Sequence, residues 1–268
     1  MTNTIEFAAS QDAGNNETTS PWAASKVGNY EDLVLKPEYA ARRLRFQNGQ
    51  TWMRIVPALK ESAHGWMIPI HVLNFAGGRF AHPKTHRRNA KGVFDGAFAW
   101  FLRNNPEGLY SKVNRSGARL LTDPMCACWV LVEEEGRTVA RIFFASGYDG
   151  SRGGAPGLGY QLWRLTKDRD ENGTLTADPV APEAGLLVCV EKSKSKGAKY
   201  PNYTLRLGRQ PAPVNAMLAK ADPEEVRVLC PLEQTARELS AEEEWQCLAR
   251  VIAAETAAEI RTSLTDER

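Results

Sequence analysis

The sequence predicts a mainly β fold of the α+β class, with a β-barrel core, a short helical insertion and C-terminal helices. Three observations point there. Short stretches of alternating apolar and polar residues recur along the chain, separated by Gly, Pro, Asn and Asp, which is the pattern of half-buried strands and turns. One mid-chain segment and the region beyond residue 211 switch to the spacing of amphipathic helices. The 268 residues are 43% hydrophobic and 25% charged, which supplies a sizeable core and excludes a wholly disordered, fibrous or disulfide-framed chain.

Taken in order, residues 1–25 are rich in Ser, Thr, Asn, Gln and Ala and read as a flexible leader. In ARRLRF, Leu44 and Phe46 alternate with Arg43 and Arg45. After Gln47-Asn48-Gly49 the run QTWMRIVP puts Met53 and Ile55 on one face and Trp52, Arg54 and Val56 on the other, so a hairpin is expected across Asn-Gly. Further strands are expected over 66–75, 126–134, 138–146, 158–166, 185–192 and 202–209. The last two form a long hairpin whose tip carries Lys192, Lys194, Lys196 and Lys199. Residues 93–105 read as a helix inserted between strands. Ser240 with Glu243 makes a capping box that opens a final helix, with Trp245, Leu248, Ile252 and Ile260 as its apolar stripe. A β-sandwich satisfies the same turn signals as a barrel. The expected organisation is an acidic leader over 1–35, a core over 36–215 and an acidic helical region over 216–268.

Charge is segregated along the chain. Residues 1–35 carry a net −4, residues 36–120 a net +11, residues 121–220 a net +2 and residues 221–268 a net −7. A basic body between acidic ends is built to attract a polyanion. No apolar run reaches the roughly 18–20 residues of a membrane span, and the N-terminus lacks the basic start and apolar stretch of a secretory signal, so a cytoplasmic protein is expected. The five cysteines are unevenly spaced and suit buried apolar positions better than disulfides.

Signs of catalysis are missing. GGAPGLG at 153–159 is followed by no Gly-Lys-Ser/Thr and fits neither a P-loop nor a dinucleotide fingerprint. The candidate metal ligands are His82, His86, Cys126 and Cys128, a set suited to zinc in type and number. Against it, Cys-x-Cys in an alternating strand points both thiols to the core face, beside Val130 and Val132. No cofactor and no enzymatic activity are expected. What remains is a constellation of cations interleaved with rings: Arg79, Lys84, Arg87, Arg88 and Lys91 lie near Phe80, and Arg54 lies near Trp52. Single-stranded nucleic acid needs both, cations for its phosphates and flat rings for its bases.

These features, in this order, resemble the single-stranded DNA-binding proteins of T-even and related bacteriophages. The resemblance spans roughly residues 40–215. It rests on TWMRIVP after an NGQ turn, GWMIPIHVL, a basic insertion, WVLVEEEGRTVARIFF, and a late segment in which an Asp-Pro turn precedes a basic hairpin ending in YPNYTLRL. It implies an oligonucleotide-binding (OB) barrel, sequence-tolerant coating of displaced strands in replication, recombination or repair, and an acidic C-terminal region that recruits replication proteins. The chain departs from that family in reading Phe94-Asp95-Gly96-Ala97-Phe98 where a zinc-binding Cys-x-x-Cys would stand, and in having an acidic leader in place of a basic arm.

The expected function is therefore sequence-independent binding of single-stranded DNA. Phosphates would be neutralised by Arg43, Arg45, Arg54, Arg79, Lys84, Arg87, Arg88 and Lys91, together with Arg152 and the Lys192, Lys194, Lys196 and Lys199 hairpin. Bases would stack on Trp52, Phe80, Tyr148, Tyr160 and Tyr200. A strand-annealing mediator, an RNA-binding protein and a zinc-dependent nuclease are the alternatives, and no membrane partner is expected.

Overall fold

The computed structural model describes residues 31–32, 34–62, 64–75, 78–85, 91–104, 125–150, 155–169, 171–172, 178–194, 201–249 and 252–266. Its centre is an antiparallel sheet of six strands. β6 (Met125–Glu134) and β7 (Arg137–Ser146) pair along their whole length, from Met125 opposite Ser146 to Glu134 opposite Arg137. β2 (Gly49–Ile55) pairs with β6 through Met53–Ile55, and with β8 (Leu186–Ser193) through Gly49–Met53. β9 (Asn202–Pro211) completes the far side against β8, as the alternation of both segments predicts. β3 (Ile68–Ile70) lies beside the start of β6. The order across the sheet is β7-β6-β2-β8-β9.

Among the described residues β7 and β9 are not paired, so the sheet is not a closed barrel. Side chains fill the opening. Helix α3 (Leu158–Leu165) packs against β7, β6 and β9, with Gly159 so close to the Cys126 sulfur that no side chain fits there. Phe46 meets Phe143 of β7 and Tyr203 of β9 edge-on, each with ring centroids 6.0 Å apart.

Several expected elements take another form. Residues 158–166 read as a strand because Leu158, Tyr160 and Leu162 alternate, but Leu158, Leu162 and Leu165 are also spaced as a helix stripe. The helix wins by burying Leu158 and Leu162 against the sheet. The hairpin expected across Asn48-Gly49 does not form, because β2 already has partners on both edges. Residues 42–44 instead run parallel to β7: Leu44 N donates to Ile142 O, and Ile142 N donates to Arg42 O, both at 2.8 Å. The stretch 66–75 splits at His71 into β3 and β4 (Val72–Phe75), which belong to different sheets. β4 pairs with β5 (Gly78–Ala81), and β5 takes β1 (Glu31–Asp32) as a parallel neighbour.

The inserted helix α2 (Val93–Asn104) forms where expected. The single C-terminal helix becomes two, α6 (Ala241–Ala249) and α7 (Ala254–Asp266), preceded by the short α4 (Val214–Leu218) and α5 (Pro223–Arg227). The capping box is formed, with Ser240 N donating to Glu243 Oε2 at 2.9 Å and Glu243 N donating to Ser240 Oγ at 3.3 Å. α6 and α7 both pack on α2, and Leu248 and Ile260 join Phe94, Ala97 and Phe101 in a second apolar cluster.

Packing crosses the expected borders at 35 and 215. Val34, Leu35, Leu218, Leu232 and Ala236 are all buried in the main core, and Arg237 N donates to Val34 O at 2.8 Å. The main core therefore draws on Val34 and Leu35 ahead of the expected core and on Leu218, Leu232 and Ala236 beyond it. The leader's residues 1–30 lie outside the described residues. Among the described residues, no helix is long and apolar enough to cross a membrane.

Candidate nucleic-acid interface

The alternation of β2 fixes where its large side chains go. Trp52 lies opposite Cys189 on β8, which in turn lies opposite Arg206 on β9, so the three share one face of the sheet. Trp52 is 41% exposed, a rare value for tryptophan. The Arg206 guanidinium carbon sits 5.8 Å from the centre of its ring, a cation–π pair. Gly208 of β9 lies beside the ring, where an added Cβ would make ordinary contact with Trp52 at 3.6 Å. Sequence reading missed Arg206, although it stands between Leu205 and Leu207 in a strand reached from the same hairpin, which is signal enough to place it on the outer face.

Between β2, the end of β6 and the segment from Ala212 to Lys220, a cleft of about 760 Å³ opens. Its lining includes Trp52 and Arg45 from the expected set, with Gln50, Glu133, Met217 and Lys220 among the residues not expected. Arg45 and Trp52 are thus brought together. Arg43 is not with them: it stacks over the Phe144 ring at 4.6 Å. Lys192 is half-buried, and its ammonium donates to Phe46 O at 2.8 Å. Lys194 is exposed.

Arg54 requires a correction. It is fully buried, and not an open cation beside Trp52. Its Nε donates to Ala212 O at 2.6 Å, and its Nη1 donates to Ile55 O and Pro179 O at 2.7 Å each, with further bonds to Ala181 O and Pro182 O. Burial lowers its pKa to about 10, which Asp178 and Glu183 oppose. Gly185 approaches the guanidinium so closely that a side chain there would collide with it. Five carbonyls matched to a guanidinium's five donors make this a structural clamp. Alternation had assigned Arg54 to the solvent face; the segment around 178–185 and Ala212 cover that face instead.

The basic insertion forms a separate group. Arg79 and Phe80 lie on β5, opposite Asn74 and Leu73 of β4. Lys84, in the 3₁₀ turn Pro83–Thr85, and Lys91, just before α2, are exposed. Arg87 and Arg88 lie outside the described residues, as do Arg152, Lys196, Lys199 and Tyr200. Tyr148 and Tyr160 are half-buried, and the Tyr160 ring packs on Trp163 of the same helix with centroids 5.6 Å apart.

Three of the four candidate zinc ligands lie among the described residues. Cys126 and Cys128 are fully buried in β6, and burial pushes both thiols well up. His82 is also buried, with both ring nitrogens engaged: Nδ1 accepts from Lys84 N at 2.9 Å, and Nε2 meets Asp95 Oδ2 at 2.8 Å. With Nδ1 accepting, Nε2 is the nitrogen that donates to Asp95. Burial favours the neutral form of Asp95, but the bonds from His82 and the Gly92 amide outweigh it and hold the carboxyl below its usual value. Glu244 of α6 caps α2 across this junction, accepting from Phe94 N at 3.1 Å. Burial pushes its pKa up. Among the described residues no group of three or more His, Cys, Asp or Glu is arranged to hold a metal ion, and His86 lies outside them. Comparison with protein-family models, curated proteins and solved structures finds no match to this chain.

Proposed function

We propose that this protein binds single-stranded DNA without sequence specificity and without chemistry, on an OB-like scaffold. The observation that carries the reading is where the basic segments fall in the strand order. Taking β2, β6, β7, β8 and β9 as strands one to five, the pairings are 1–2, 2–3, 1–4 and 4–5, and a helix follows strand three. An OB barrel would have these pairings plus a 3–5 seam, and Phe46 between Phe143 and Tyr203 stands where that seam would close, which supports the reading. OB proteins bind oligonucleotides with the face of strands two and three and with the loops after strands one and four. Here the connection after strand one is the insertion bearing Arg79, Lys84, Arg87, Arg88 and Lys91, and the connection after strand four is the tip bearing Lys194, Lys196 and Lys199. An exposed Trp52 and the Arg206 beside it add a ring for a base and a cation for a phosphate. The resemblance drawn from the sequence adds phage replication, recombination or repair as the setting, with the acidic C-terminal region as a surface for replication proteins.

The test is a titration with oligo(dT) at several salt concentrations, read by intrinsic fluorescence from the seven tryptophans. Quenching is expected, with log affinity falling against log salt by about 0.7 per phosphate neutralised. Affinity that ignores salt, or that is equal for duplex DNA, overturns the reading. Parallel titrations with RNA and an assay for annealing complementary strands separate the neighbouring functions.

A further inference from the structure

We infer that the cleft beside β2 and the end of β6 takes one unpaired base of the bound strand and prefers bases that carry an exocyclic amino group. The inference rests on the single-strand reading above and narrows it, adding at one pocket a base preference to binding that is otherwise tolerant of sequence. Its size suits the role, since sites for small molecules run from roughly 300 to 1,000 Å³ and this one measures about 760 Å³. Its walls divide by chemistry. Trp52 offers a flat face, and Leu131, Leu187 and Met217 give an apolar floor. Gln47, Asn48 and Gln50 line one side with amides, which both donate and accept and so suit the mixed edge of any base.

The acidic part of the lining decides the preference. Glu133 and Glu134 stand on β6, and a phosphate would be repelled there. Glu134 is engaged by Arg141, whose Nε donates to Oε1 at 2.9 Å while Nη2 bonds Oε2. Glu133 is exposed and has no such pair among the described residues, which leaves its carboxylate as an acceptor for a base N–H. Carboxylates accept from the cytosine amino group. Thymine has no amino group to offer. Arg45 and Lys220 in the lining, and Arg206 over Trp52, remain for the phosphates on either side of the inserted base.

The experiment measures binding of dC8 and dT8 by the full chain, with dCMP and dTMP as single-nucleotide probes. The wild type is expected to favour dC8 by about tenfold, and dCMP over dTMP in the same sense. Glu133→Gln is expected to close that gap, and Trp52→Leu to weaken both oligomers; far-UV circular dichroism checks that each variant is folded. Equal affinities for dC8 and dT8 in the wild type, or a preference that survives Glu133→Gln, overturns the pocket and leaves single-strand binding standing. Failure of every probe to bind overturns both.

Discussion

Trp52 and Arg54 stand two residues apart on one strand face and have opposite fates. Trp52 keeps 41% of its surface in water, so its truncation removes little packing. Trp52→Ala should weaken oligo(dT) binding about 5- to 150-fold, the worth of one stacked base at roughly 1–3 kcal/mol, and leave the melting temperature near the wild-type value; anisotropy and thermal denaturation check the two halves. Arg54→Met should do the reverse. It would strand several buried carbonyls at about 1–3 kcal/mol each, so a loss of at least ~3 kcal/mol in urea unfolding is expected. Arg54→Lys should not rescue it, because an ammonium has three donors for five acceptors. Alternation in QTWMRIVP identified the face both residues share. Which of them would be covered depends on Pro179, Ala181 and Ala212, more than a hundred residues away, and no local pattern encodes that.

The hairpin between β6 and β7 is the most regular element, and its turn holds a local conflict. Glu135 has φ 51° and Gly136 has φ 77°, so both central residues take the left-handed conformation that matches the twist of the strands. Glycine takes it without steric cost, and glutamate takes it at some cost. Glu135→Asn should raise stability by about 0.5–1 kcal/mol, seen as a higher urea midpoint with unchanged slope. A second element-level device joins α2 to α6. Glu244 has its folded pKa raised, so it binds a proton more tightly when folded than unfolded. Its contribution is complete below the unfolded value, about 4.3, and is lost as pH rises through the folded value. Asp95, with its folded pKa lowered, contributes above its unfolded value and loses that only in acid. Glu244→Gln, which keeps an acceptor for Phe94 N, should flatten the fall in thermal stability as pH is raised from about 4.3, while the acid limb below it persists.

At the scale of the molecule, the two apolar clusters predict how the chain can be cut. Ending it after residue 239 removes α6 and α7 but leaves Leu218, Leu232 and Ala236 in the main core, where Trp129 Nε1 donates to Cys230 O at 2.8 Å. That protein should still unfold cooperatively, with Phe94 and Phe101 newly exposed and dye-binding surface increased. Ending it after residue 215 strips buried groups from the main core and should give no cooperative transition. Near-ultraviolet circular dichroism through a thermal ramp tells the two apart.

Legible from local pattern alone were the α+β class, the strands over 126–134 and 138–146, the long hairpin over 185–209, the inserted helix, the capping box and the segregation of charge, because each depends on neighbours within a few residues. Arg45 and Trp52 were legible as candidates for the same reason. Long-range packing settles that 158–165 is a helix, that residues 42–44 lie beside β7, that Arg54 is enclosed, and that Arg206, Lys220 and Glu133 gather around Trp52. Those outcomes turn on which surfaces cover which. A half-apolar segment becomes strand or helix, and a cation becomes clamp or ligand, according to what distant parts of the chain bring against it.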